Sequence, residues 1–278
     1  TKINQNFQQI QENNQNPKQN TASTLHLCCS ILDEILNQTN IPFFKGPIID
    51  VILNHEVHVA MMALALDNNL SLAIPFAKLF LTIWKRYSKI YIHRLYEIYE
   101  KGILHSLSSP NSNQILRTCE ILKYLSSEPQ LFVDLFVNFD CDSSGTYVSL
   151  FESTINLVSK HAYPDDPCEY PALTVLNLIL YNMWKYLKST KKSEQPVTDT
   201  LIQAKRQKDV FQQGLDLFKK TPKKGLQYFI QQNIVSEDKV AEFLFNTNQL
   251  DPAGVGEIIG TQNNRQILKD YVSLFDFR

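Results

Sequence analysis

Phe218-Lys-Lys-Thr-Pro-Lys-Lys-Gly-Leu226, then Val240-Ala-Glu-Phe-Leu244, then Leu250-Asp-Pro-Ala-Gly-Val-Gly-Glu-Ile-Ile-Gly260, carries the sharpest helix signals in the chain. Thr221-Pro222 and Asp251-Pro252 each pair a capping side chain with a proline, which is tolerated in a first helical turn because its missing N–H is not needed there. Gly260 stands where a helix would end. Leu226/Phe229/Ile230, Val240/Phe243/Leu244 and Val255/Ile258/Ile259 repeat the i, i+3, i+4 spacing that puts three side chains on one helical face. Several short amphipathic helices follow, each too small to be stable alone, so they must pack together.

Working back from this block, Ser189 to Thr200 has one aliphatic residue and a proline, which is linker chemistry, and a helix from about Leu201 to Lys220 bridges into the final block. From Leu25 to about Leu187 the apolar residues recur at helical spacing, with almost no strand-type alternation. Leu27, Ile31 and Ile35 mark a first helix, and Ile48, Ile49, Ile52 and Leu53 a second. Val57, Ala60, Met61 and Leu64 mark a third, ending in the turn Asp67-Asn-Asn69. Leu72, Phe76, Leu79, Phe80 and Ile83 predict a fourth, and Ile92, Leu95, Ile98, Tyr99 and Ile103 a fifth. Ser109-Pro110 and Glu128-Pro129 read as starts of the next two, Tyr147, Phe151, Ile155 and Val158 continue the pattern, and Pro171 to Leu187 gives a further apolar helix. The expected fold is all-α, with helical pairs stacked in the armadillo or HEAT manner, although no repeat of fixed period is visible.

Residues 1 to 22 hold six Asn and six Gln with four apolar residues, too few to offset chain entropy, and predict a disordered linker. The expected organisation is therefore linker 1–22, a helical domain 23–188, linker and bridging helix 189–217, and a terminal helical block 218–278.

The chain has 278 residues, 44% hydrophobic and 20% charged, enough for one large core or two smaller ones. Its longest mostly apolar run, Leu72 to Trp84, is interrupted by Pro75 and Lys78 and is too short to span a bilayer. The polar amino terminus lacks the pattern of a secretory signal, and five cysteines without a Cys-x-x-Cys pair read as reduced cytosolic thiols. A first residue other than Met suggests a piece of something longer.

The net charge of −1 hides an asymmetry. Lys185 to Lys224 holds eleven basic against four acidic residues, +7, which leaves −8 elsewhere. Lys191, Lys192, Lys205, Arg206, Lys208, Lys219, Lys220, Lys223 and Lys224 are the candidate contacts to anionic lipid or an acidic partner; the competing reading is a solvated linker with exposed helix ends.

Two constellations resemble metal sites without meeting their geometry. His55-Glu56-Val57-His58 spaces its histidines by three, whereas the zinc-protease motif needs four so that both imidazoles reach one ion. Asp140-Cys-Asp142-Ser-Ser-Gly145 matches positions 1, 3, 5 and 6 of a calcium loop, but the twelfth position is Phe151, and Glu152 comes one residue late. No metal, cofactor, catalytic residue or nucleic-acid fingerprint is expected, and no Gly-rich phosphate loop or Ser/His/Asp order occurs.

The terminal block, with Tyr271-Val-Ser-Leu-Phe-Asp-Phe277, resembles the opening of the Sec-seven domain, the catalytic domain of guanine-nucleotide exchange factors for Arf GTPases. Lys205 to Phe218 resembles the run-in to that domain in the brefeldin-inhibited, Golgi-type branch. Asn138-Phe139-Asp140-Cys141-Asp142 resembles the short box found upstream of it, which the family uses to contact an amino-terminal dimerisation region. Capping of the following helix by the two carboxylates is an equally good account of that box. The resemblance implies an all-α Sec-seven segment over 218–278, an Arf-family GTPase as partner, and peripheral recruitment from the cytoplasm to Golgi or endosomal membranes. It also implies that the catalytic glutamate stretch would follow Asp276-Phe277, where only Arg278 remains, so this chain alone is expected to be inactive. The alternative is a helical-repeat scaffold that binds partners without catalysis.

Overall fold

The structure, a computed structural model, describes residues 17–37, 52–142, 145–189 and 196–275. Every regular element among the described residues is helical, so the fold is all-α. No described helix is long and apolar enough to cross a membrane.

The chain divides into two compact units, and the division is not a single cut. The first takes the residues up to Phe139 and again from Val148 to Ser193; the second takes Asp140–Tyr147 and everything from Glu194. Sequence alone put 23–188 in one domain, whereas the short segment carrying Asp140 and Asp142 belongs to the later unit.

In the first unit, helix α1 (Pro17–Asn37) lies on α3 (Ala73–Glu97), and Thr82 Oγ1 donates to Asp33 across their contact. The helix reaches back to Pro17, inside the segment expected to be a disordered linker. Leu27, Ile31 and Ile35, the residues that signalled it, are largely exposed, and Cys29 and Leu36 are the buried ones. The expected second helix falls mostly outside the described residues; Ile52 opens a π-helical turn, Ile52–Val57, that feeds α2 (His58–Leu66).

The expected fourth and fifth helices are one run. Helix α3 continues without a break through π-helical Ile98–Leu104 into a last turn, His105–Leu107. The polar stretch Lys85–Lys89 interrupts the apolar pattern but contains no glycine or proline to stop a helix. Wide π turns leave Gly102 against Ala65 of α2, where an added Cβ would lie 2.5 Å from the Ala65 Cβ. Aromatic rings fill the seam: Phe76 to Phe80 at 6.1 Å, Phe80 to Trp84 at 5.8 Å and Phe80 to Tyr99 at 6.1 Å between centroids.

Helix α4 (Ser112–Leu125) packs on α3, and its cap is Asn111, whose side chain accepts from the Asn113 N–H; Ser109 instead accepts from the Asn111 N–H. The start lies just beyond Ser109-Pro110 because asparagine there supplies the capping oxygen. Helix α5 (Pro129–Leu135) follows the expected Glu128-Pro129 start, then α6 (Leu150–Lys160) and α7 (Glu169–Ser189). Helix α7 packs on α4, α5 and α6, and Tyr99 joins α6 through its hydroxyl, 2.9 Å from Thr154 Oγ1.

In the second unit, α8 (Pro196–Lys220) is one helix across the expected linker boundary at 217/218. Helices α9 (Pro222–Gln231), α10 (Val240–Asn246), α11 (Pro252–Gly260) and α12 (Arg265–Ser273) complete it. Asp251 caps α11 as read, accepting from the Gly254 N–H at 3.1 Å, while Thr221 makes no side-chain cap. Phe218 is fully buried at the centre with Leu226, Phe229, Val240, Leu244, Val255 and Ile258. Three glycines let the helices close on it. A Cβ on Gly225 would lie 2.3 Å from the Phe218 Cα, one on Gly214 2.3 Å from the Phe229 ring, and one on Gly254 2.8 Å from the Phe218 ring.

Candidate functional site

The box Asn138–Asp142 grows out of the end of α5, which loosens into a π-helical turn, Phe136–Asp140. Asn138 is exposed and its Nδ2 donates to the Asp134 carbonyl at 2.8 Å. Phe139 is buried in the first unit, its ring 5.3 Å from that of Tyr96. From Asp140 the chain enters the second unit. Asp140 is completely buried, Cys141 nearly so, and Asp142 half-buried.

The partner of this acidic pair is on α8. Lys208 retains only 5% of its surface. Burial pulls its pKa below the usual lysine value; Asp140 foremost, then Asp142, favour the charged form, while Lys205 opposes it. An ammonium so enclosed needs an anion close by, and Asp140 supplies it. Lys205 in turn holds Asp209 at 2.5 Å, one helical turn on. Burial, then the Asp140 charge, pushes the Cys141 thiol up, so that cysteine is a packing group and not a nucleophile.

A second tie follows. Gly145 has φ +67°, a left-handed conformation, and a Cβ there would stand 3.1 Å from the Phe211 ring of α8. Its carbonyl accepts from Gln249 Nε2 at 2.7 Å. Within the second unit Asp140 is therefore held against α8 by charge, and Gly145 by a close turn.

This seat corrects the list of cations expected at an anionic surface. Lys208 is buried under the box, and the Lys205 side chain is only 16% exposed. Both lie on the α8 face turned toward Asp140, three residues apart, whereas Arg206 points away and is exposed. Lys219, Lys220, Lys223 and Lys224 are exposed around the α8–α9 corner, and Lys191 and Lys192 lie outside the described residues. The calcium reading loses its geometry too, since Asp140 faces an ammonium and Phe151 packs edge-on against Phe132 and Phe136, each at 6.2 Å.

The histidine pair separates as its spacing implied. His55 is exposed beside Glu56, whereas His58 is mostly enclosed, with Nε2 3.3 Å from Glu97 and Nδ1 buried without a hydrogen bond. No group of three or more His, Cys, Asp or Glu able to hold a metal occurs among the described residues.

One structural anchor went unread in the sequence. Arg117 of α4 is fully buried and donates to three backbone carbonyls: Asn69 (3.1 Å), Ala65 (3.1 Å) and Leu64 (2.5 Å). These include the last carbonyls of α2, which have no partner within their own helix. A mid-helix arginine between Leu116 and Thr118 looks like any surface charge; only its place one turn before the buried Ile121 sets it apart.

The Sec7 domain model matches residues 207–278, from the middle of α8 to the end of the chain. The human brefeldin A-inhibited guanine nucleotide-exchange protein 1 is 38% identical over 77 residues, 26% of this chain. Saccharomyces cerevisiae ARF guanine-nucleotide exchange factor 2 is 25% identical over 196 residues, 64% of the chain, and the Arabidopsis thaliana brefeldin A-inhibited guanine nucleotide-exchange protein 1 is 23% identical over 232 residues, 63% of the chain. The chain spans only 4%, 13% and 14% of those three relatives. The model described as Mon2/Sec7/BIG1-like, HUS domain, matches residues 2–148, more than half of the chain, and the chain therefore belongs to that family.

Proposed function

We propose that this chain is the regulatory and lead-in part of a guanine-nucleotide exchange factor that promotes GDP-to-GTP exchange on Arf-family GTPases in Golgi or endosomal vesicle traffic. The observation that carries the reading is the joint match of residues 2–148 to the HUS model and 207–278 to the Sec7 model, in the order expected of such a factor. An exchange factor binds the nucleotide-free GTPase better than the loaded one, so it needs no nucleotide loop of its own.

Within that function the chain's own residues orient. The acidic pair Asp140 and Asp142 holds α8 through Lys208, and α8 leads directly into the Phe218 core on which the Sec7 segment is built. Asn138, exposed at the edge of the box, remains accessible to the amino-terminal dimerisation region of the parent. The exposed Lys219, Lys220, Lys223 and Lys224 present positive charge suited to an anionic Golgi or endosomal membrane, to which the protein is recruited from the cytoplasm. No Phe-Arg-Leu-Pro-Gly-Glu-type segment occurs in residues 1–278, so the exchange step itself is assigned outside them.

The test is nucleotide release from a purified Arf, comparing residues 1–278 with the same residues extended through a complete catalytic domain. Stimulation by the extended protein alone is the expected result. A folded but inactive extended protein would move the assignment to a non-catalytic helical scaffold.

A further inference from the structure

Helix α3 carries Lys78, Lys85, Arg86, Lys89 and Arg94 before its first acidic residue, Glu97. Around its middle, where it faces α1 and α4, the surface opens into a cleft of about 610 Å³, a size that suits a small organic ligand. Lys78, Thr82, Lys85 and Arg86 of α3 line it with Asp33 of α1 and Tyr124 of α4. Steps of three and four residues bring the four α3 side chains onto one face of the helix.

The charges of the cleft follow an order. Lys78 and Arg86 are exposed, stand about 12 Å apart along the helix axis, and pair with no carboxylate among the described residues. Lys85 is already bound to Glu128. Thr82 lies midway between the two unpaired cations and donates its hydroxyl to Asp33, so a half-buried carboxylate occupies the centre. That carboxylate has lone pairs left to accept from a ligand. A single bare anion would meet the Asp33 charge there. A ligand with a phosphate at each end and hydroxyl groups between them would meet a cation, an acceptor and a cation in turn.

We propose that this cleft binds a phosphorylated polyol of the inositol phosphate type. One phosphate sits on Lys78, a second takes the Arg86 guanidinium, whose planar donors suit paired phosphate oxygens, and a ring hydroxyl donates to Asp33. A free inositol phosphate and the headgroup of a phosphoinositide present this same chemistry. The cleft lies wholly within the first unit, and its chemistry does not depend on exchange activity.

Isothermal titration of the full chain with D-myo-inositol 1,4-bisphosphate at about 0.15 M salt tests this. The expected result is a Kd on the order of 10 μM, with pyrophosphate, which carries charge without hydroxyls, bound about tenfold or more weakly. Lys78→Glu and Arg86→Glu each weaken the bisphosphate by about tenfold or more without loss of helical circular dichroism, since both side chains are exposed. Lys89→Glu, the same charge change outside the cleft, costs less than about threefold. Asp33→Asn keeps an acceptor for Thr82 yet narrows the preference over pyrophosphate, because it removes both the charged acceptor and the repulsion. Cosedimentation with phosphatidylcholine vesicles, with and without phosphatidylinositol 4-phosphate, separates the two sources. Pelleting on the phosphoinositide that Lys78→Glu and Arg86→Glu abolish assigns the lipid headgroup, and titration without such pelleting assigns the free molecule. Absence of binding in both arms overturns the proposal, as does a bisphosphate affinity that Lys89→Glu lowers as much as Arg86→Glu. Pyrophosphate bound as tightly as the bisphosphate, or a preference that Asp33→Asn leaves unchanged, overturns the polyol assignment.

Discussion

Lys208 of α8 is buried against Asp140, a residue far earlier in the chain, and Asp140 is buried with it. Removing one member leaves the other as an enclosed, uncompensated charge. Lys208→Ala should therefore destabilise the second unit by about 3 kcal/mol, the cost of breaking a buried pair. Arg206→Ala, on the exposed face of the same helix, should stay within about 0.5 kcal/mol of the parent in urea unfolding.

Two glycines in the second unit should respond to alanine in opposite directions. At Gly225 the new Cβ would meet the Phe218 backbone 2.3 Å away, so α8 and α9 must separate, at a cost of about 1–3 kcal/mol. At Gly256, on the open side of α11, nothing lies within 4 Å, and alanine should add about 0.5–1 kcal/mol by restricting the unfolded chain and favouring helix. Thermal denaturation of the two variants in parallel checks both signs.

Arg117 should tolerate no replacement. Lysine cannot serve three carbonyls fixed in a fork, and alanine takes a donor from each of them, leaving Ala65 only the long Ser106 Oγ contact at 3.4 Å and Asn69 only the Leu72 N–H at 3.1 Å. Arg117→Lys and Arg117→Ala are each expected to lose about 2–4 kcal/mol, with alanine the worse, and to increase amide exchange first at the end of α2.

His58 predicts a pH dependence. Burial, then Arg94, lowers its folded pKa below the ordinary 6.5, while Glu97 opposes that shift and Lys101 adds to it. Because the unfolded state takes up the proton first, stability is full above about 6.5 and declines as pH falls through the window below it. His58→Gln should flatten the decline between about pH 7 and pH 5, which urea midpoints at several pH values would register.

The helical class was legible because apolar spacing and proline-capped starts are local signals. Thr221-Pro222, Asp251-Pro252 and Glu128-Pro129 all open helices where they were expected. The polar stretch after Trp84 concealed a continuous helix, since exposed polar residues interrupt a pattern without interrupting hydrogen bonds. The box at 138–142 was visible as a motif, yet its seat on Lys208 was not, because a lysine in a charge-rich helix gives no sign of which acidic loop will cover it. Arg117 and the glycines facing Phe218 were missed for the same reason. Their importance lies in contacts distant along the chain, and no spacing encodes those.

The most direct test of the central claim, that the acidic box holds the helix leading into the Sec7 segment, is a double-mutant cycle on Asp140→Asn and Lys208→Met, read by urea unfolding. A coupling of about 1–3 kcal/mol, with the double variant recovering much of what each single one loses, is the expected outcome. Costs that simply add to within about 0.5 kcal/mol would contradict it, and would leave the box as a helix end with no hold on α8.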